Sequence, residues 1–205
     1  MHILGRLQRK TGVISCRLRG SQIALAAMAQ RVHAALVMSG NLVLDFDGVL
    51  NGHGQIDDCD SKGLDMHDWE RLDPEKVVLL ERILVVTQAA IVVSSSWRGS
   101  WNAFALERGL RRLGAPSARV VGVTPDLAHT VPDKTRVPRW HEVSAYFAQH
   151  PCEVFAILED AEDMGPYADR TVRPDYWTGG LELHDVERAI ALLTRPAVRA
   201  PAPAA

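Results

Sequence analysis

The chain has 205 residues, of which 47% are hydrophobic and 23% charged, and a formal net charge of −2. This is the composition of a globular domain with a real core and some length left for appendages, and it excludes a low-complexity chain. No apolar run approaches the roughly 20 residues that a membrane span needs.

Charge is unevenly spread. Arg6, Arg9, Lys10, Arg17, Arg19 and Arg31 face no Asp or Glu within residues 1–40, so the remainder is distinctly acidic. We read 1–40 as a basic Ala/Arg-rich extension, disordered or helical. Residues 23–29 (IALAAMA), with Ala27-Met28-Ala29 as an Ala-x-Ala site, have some features of a signal peptide. The apolar part is short and the preceding segment long, so an Ala-rich helix or an extension ahead of a start near Met38 is the expected reading. Cys16, Cys59 and Cys152 are odd in number and far apart, which fits a reducing, cytoplasmic setting better than a disulfide framework.

From residue 41 the chain alternates. Residues 41–46 (NLVLDF) read as a buried strand, and 51–72 as a polar, irregular loop or flap. Asp73-Pro74-Glu75 opens a helix, with Asp73 as N-cap and Pro74 in the first turn, that continues to about Gln88. Residues 90–94 (AIVVS) make a second strand, 102–112 a helix closed by Gly114, and 119–123 (RVVGV) a third strand. Residues 140–150 have helical spacing and stop at Pro151; 154–158 (VFAIL) form a fourth strand. Residues 171–173 are a short fifth strand and 184–193 a last helix. The tail 195–205 is Pro/Ala-rich and expected to be disordered. Non-alternating strands separated by helices predict a parallel sheet covered on both faces, a three-layer α/β/α architecture.

In such a sheet, ligands bind beyond the carboxyl ends of the strands. Three of those ends carry unusual chemistry. The first ends in Asp45 and Asp47, the second in Ser94-Ser95-Ser96-Trp97-Arg98, the fourth in Glu159-Asp160 with Asp163 following. Carboxylates gathered beside hydroxyls call for a hard cation, and Mg²⁺ completed by water and a phosphate suits such oxygen ligands.

Asp45-Phe46-Asp47-Gly48-Val49-Leu50 resembles the first motif of the haloacid dehalogenase-like (HAD) superfamily. Ser94–Ser96 resembles its second motif and Glu159-Asp160 its fourth. Ser-Ser-Trp-Arg at the second motif, Arg139-Trp140-His141-Glu142-Val143, and Gly179-Gly180-Leu181 are similar to the HAD domains associated with Swiss Army Knife RNA repair proteins. The resemblance covers about 41–194 and implies a Rossmann-like fold and a Mg²⁺-dependent phosphohydrolase working through an aspartyl-phosphate. It assigns Asp45 as nucleophile and Asp47 as general acid and base. The metal falls to Asp45, the Asp47 carbonyl and Asp160, with Glu159 as a neighbour. Ser95 is preferred over Ser94 and Ser96 for binding a phosphoryl oxygen, with Gly48 and Arg98 at the phosphate site. The third-motif cation is Lys134, Arg136 or Arg139; the narrower pattern favours Arg139 and the general lysine habit favours Lys134. Glu159 departs from the commoner Asp at its position.

Too few residues separate the first two motifs for a large cap domain, so an open site is expected. An open site suits a bulky phosphate ester such as a nucleotide or a polynucleotide end. The alternative is a non-hydrolytic module that holds a phosphorylated partner or nucleic-acid end; the intact Asp45/Asp47 pair favours the enzyme. His53, Asp57, Asp58, Cys59, Asp60 and His67 match no zinc or calcium spacing and read as a polar flap. Trp97 and Trp101 read as packing beneath it. Arg108, Arg111 and Arg112 read as a solvated helix face.

Overall fold

The computed structural model describes residues 40–127, 137–162 and 164–195. Both terminal segments, Lys134, Arg136 and Asp163 lie outside the described residues.

Five parallel strands form the sheet: β1 (Asn41–Leu44), β2 (Ala90–Val93), β3 (Val120–Val123), β4 (Phe155–Leu158) and β5 (Thr171–Val172), in the order β3-β2-β1-β4-β5. Side chains alternate between its two faces, and each face has its own cover. Leu42, Leu44, Ile91, Val93, Ala156 and Leu158 pack under α2 (Pro74–Thr87), α3 (Ala103–Leu113) and α5 (Leu183–Leu193). Val43, Val92, Phe155 and Ile157 pack under α4 (Arg139–Gln149) and the 3-10 segment Gly165–Arg170. Each fully buried aliphatic side chain here contributes about 1.5–3 kcal/mol.

The helix ends follow their sequence signals. The Asp73 carboxylate accepts from the Glu75 N–H with Pro74 in the first turn, and Asn102 caps α3 by accepting from the Ala105 N–H. Gly114 closes α3 at φ +127. Strands β1 and β2 end sooner than expected, because the residues beyond Leu44 and Val93 turn out of the sheet toward the site, whereas β4 ends at Leu158 as expected and starts one residue later, at Phe155.

The segment 51–72 corrects the expectation of an irregular flap. It contains helix α1 (His53–Ser61) and a 3-10 turn, Trp69–Arg71. No side chain caps α1, and only Ile56 and Cys59 among its nine residues are apolar, so periodicity gave no signal. Tertiary contacts hold it: Cys59 is buried, the Gln55 amide donates to the Glu70 carbonyl, and Asp60 pairs with the buried Arg71 at 2.7 Å. Trp97 and Trp101 do pack beneath this segment. Trp97 is fully buried against Phe46 and Trp69, and the Trp101 indole N–H donates to the His67 carbonyl. Among the described residues no cap unit interrupts the β1–β2 connection, which holds α1, the 3-10 turn and α2. No described helix is long and apolar enough to cross a membrane.

Candidate active site

Strand register assembles the site. Leu44 is level with Val93 of β2 and with Leu158 of β4. The residues that follow, Asp45, Ser94 and Glu159, therefore leave the sheet in one row. Backbone hydrogen bonds continue the ladder past the strand ends, from the Asp45 N–H to the Leu158 carbonyl (3.0 Å) and from the Ser94 N–H to the Leu44 carbonyl (2.8 Å).

Asp45 is buried, and its Oδ1 accepts from the Phe46 N–H at 2.7 Å. Its Oδ2 lies 3.7 Å from an Arg139 guanidinium nitrogen. Burial is the main reason its pKa is pushed up to about 6; Arg139, Ser95 and the Phe46 N–H pull it down, and Asp47 pushes it further up. Glu159 is also buried and held well above the usual carboxylate range, first by burial and then by Asp45, against the pull of Arg139. Burial works against the charge on Arg139, but Asp45, Glu159 and Glu142 outweigh it and raise its pKa.

Asp47 points elsewhere. Its Oδ1 accepts from the Asn51 side-chain amide and its Oδ2 from the Trp97 indole N–H, each at 3.1 Å. The two carboxylates thus sit in separate surroundings, one buried beside a guanidinium and one clamped by neutral donors. Gly48 turns the chain straight after them at φ +81, and its N–H donates to Asn51 Oδ1 at 2.8 Å. A side chain at Gly48 would collide with the Asp160 carboxylate, so only glycine lets the first motif pass this close to the fourth.

Oxygen atoms of Asp45, Glu159 and Asp160 lie within 4.8 Å of one another, and no other cluster of potential ligands forms among the described residues. These residues fit a hard divalent cation. Three carboxylates converge here, and Glu159 Oε2 is buried with no hydrogen bond, though Arg139 Nε stands 3.3 Å away. Among the described residues the His53-to-His67 set forms no such group. The Asp47 carboxylate is also outside the cluster, which leaves its carbonyl as the expected ligand.

Residues 41–186 match the family described as the HAD domain in Swiss Army Knife RNA repair proteins. The chain belongs to that family. No curated protein and no solved structure matches it.

Within this HAD domain the three serines have different surroundings. The Ser94 hydroxyl, buried just past the end of β2, accepts from the Thr124 hydroxyl at 3.3 Å. Ser96 is exposed and meets His67 Nε2 at 3.2 Å. The Ser95 hydroxyl is fully buried without a hydrogen bond of ordinary geometry, yet close enough to Asp45 to favour its charged form. Of the three candidate cations, Arg139 reaches the site, at the first residue of α4; Lys134 and Arg136 lie outside the described residues. Arg98 is engaged away from open solvent, donating to both Glu142 oxygens at 2.8 Å and to the Ser95 carbonyl at 2.9 Å.

Two residues of the HAD domain had no assigned part in the sequence reading. Glu142, buried in the first turn of α4, accepts from Arg98 and from Arg139 (2.8 Å) and so aims both guanidiniums. Its spacing of three from Arg139 on a helix was the available signal. Asn51 is fully buried and joins Asp47, Gly48 and the Arg71 carbonyl. Its position straight after the first motif was the only signal. Asn51→Ala leaves the Gly48 N–H and an Asp47 oxygen without their partner, a loss of about 1–3 kcal/mol in stability. We expect a lower chemical-denaturation midpoint together with a fall in kcat. Unchanged kcat in a folded variant would show that Asp47 does not depend on this amide.

Proposed function

We propose that this HAD domain is a Mg²⁺-dependent phosphatase that works through an aspartyl-phosphate and acts on a nucleotide or polynucleotide end phosphate. The observation that carries the reading is the pairing of carboxylates in opposite surroundings: Asp45 beside Arg139 and the Glu159/Asp160 cluster, Asp47 held by Asn51 and Trp97.

In this reading an Asp45 oxygen attacks phosphorus, and the bond from phosphorus to the leaving oxygen breaks as Asp47 delivers a proton to that oxygen. Asp47, now ionised, takes a proton from the water that attacks the acyl phosphate. Inorganic phosphate leaves and the Asp45 carboxylate is restored. Arg139 faces the negative charge that gathers on the transferring group, and Ser95 offers its buried hydroxyl to a phosphoryl oxygen. Ser96 lines one cavity with Arg139 and Asp160, while Arg98 acts through Glu142 and the Ser95 carbonyl to hold the second motif in place. Asp45, Asp160 and the Asp47 carbonyl, with Glu159 beside them, would hold Mg²⁺, whose charge offsets the carboxylates and favours the phosphate dianion. An intact acid/base at Asp47 favours this reading over a module that only binds a phosphorylated partner.

The direct test is hydrolysis of an aryl phosphate with Mg²⁺ and with a chelator. Inactivity on a broad phosphate panel in both conditions would reject the enzyme. A second readout does not need turnover. Magnesium at about 100 times its dissociation constant stabilises a folded protein by about 2.7 kcal/mol, or roughly 5–10 °C in melting temperature for a domain of this size. We expect that rise in the native chain and its loss in Asp160→Asn. An equal rise in both would remove Asp160 from the metal site.

A further inference from the structure

A cavity of about 460 Å³ adjoins the reaction centre and shares Asp160 with it; its other walls are Arg173, Pro174, Asp175, Tyr176 and Trp177. No step of the proposed chemistry uses these walls. Trp177 is 74% exposed, although indoles are usually sheltered from water. Tyr176 meets its ring edge-on at 5.1 Å, and His53, from α1, stacks on it at 4.8 Å with 29° between the planes. Three rings from two separate segments thus form one shelf.

The shelf is built rather than trailing. Asp175 Oδ1 accepts from the Trp177 N–H at 2.9 Å, and the Asp175 carbonyl accepts from the Gly180 N–H at 2.9 Å. The Leu181 N–H then donates to the Val49 carbonyl at 2.9 Å, tying this turn to the first motif. Gly179 packs so closely on Gly52 that a side chain there would collide with it. On the other wall Arg173 Nε donates to the Asp160 carbonyl at 2.7 Å. The shelf and the nucleophile therefore share one rigid frame.

We propose that this shelf stacks the nucleobase of the nucleotide that carries the scissile phosphate, which makes a single-stranded nucleic-acid end the substrate class. The inference rests on the phosphatase reading for the position of the phosphate. Sharing Asp160 puts the cavity beside the reaction centre, within reach of the nucleotide that carries the phosphate. Rings make up much of the cavity wall, with Tyr176 and Trp177 in it and His53 stacked on Trp177, so a flat ring is suited there. Base stacking on aromatic side chains is sequence-tolerant, and the open cavity lets the rest of the strand leave.

The test compares single-stranded oligonucleotides bearing a 3′- or 5′-terminal phosphate with acetyl phosphate, which has no ring. Trp177→Ala should lower the ratio of kcat/KM for the better oligonucleotide to that for acetyl phosphate by roughly 5- to 150-fold, the value of one stacked base. Trp177→Phe should recover most of the ratio. In parallel, fluorescence anisotropy measures binding of the same oligonucleotide to Asp45→Asn protein with and without Trp177→Ala, where a similar weakening is expected. An unchanged ratio with unchanged binding overturns the shelf. So does a greater loss on a phosphorylated peptide than on the oligonucleotide. Failure of the phosphatase reading looks different: neither substrate turns over, while anisotropy still reports whether Trp177 holds the strand.

Discussion

Asp45→Asn is expected to reduce phosphatase turnover by on the order of 10⁴-fold or more, because an amide cannot form the covalent intermediate. The fold should survive. Asp45 is held at the end of β1 by its own backbone and by the Phe46 N–H, both of which an asparagine can keep. With a chelator present, the variant should also melt above the native chain at neutral pH. Burial lifts the Asp45 pKa from 3.8 to about 6, so the folded state favours the protonated acid. Its contribution to stability is complete below pH 3.8 and is lost as pH rises through about 6, a difference of up to about 3 kcal/mol. Asparagine has no such loss. Thermal melts at pH 7.5 and near pH 4 should show a gain at the first and little at the second. Residual activity close to native would reject Asp45 as nucleophile, whatever the melts show.

Asp47→Asn should be the next most damaging change, at about 10²–10⁴-fold in kcat. Its signature is dependence on the leaving group. An alkyl or nucleoside oxygen needs the proton that Asp47 delivers, whereas a nitrophenolate leaves without it. The defect should therefore be large on a nucleoside monophosphate and smaller on an activated aryl phosphate, whose remaining loss reflects the water step. An equal defect on both would argue that Asp47 acts only in that second step. The clamp on Asp47 gives the prediction its structural basis: the Trp97 and Asn51 donors hold its carboxylate in one place.

The sheet and the three motif-bearing strand ends were legible because apolar runs and carboxylates at fixed places are local signals. Order along the chain then placed Asp45, the serines and Glu159-Asp160 at one edge. The choice among Lys134, Arg136 and Arg139 stays open, since Lys134 and Arg136 lie outside the described residues. The structure brings Arg139 to Asp45 through Glu142, a contact between side chains that meet only once α4 lies on the sheet. Helix α1 was missed for a related reason. Its stability comes from Cys59, Gln55 and Asp60 meeting partners elsewhere, while its own sequence has weak helical character. The distinct states of Ser94, Ser95 and Ser96 likewise depend on Thr124 and His67, which come from other segments.

The central place of β1 has a consequence for how the chain is made. β1 pairs with β2 on one side and with β4 on the other, and β4 is supplied only after β2, β3 and α4 have been made. Until then the growing chain exposes the β1 edge, an apolar Leu42-Val43-Leu44 with unpaired backbone groups. Such non-local pairing is slow to form and leaves an aggregation-prone template during synthesis. Asp45 and Asp47 follow at the end of that strand, and charge flanking an apolar strand opposes the addition of a second nascent chain.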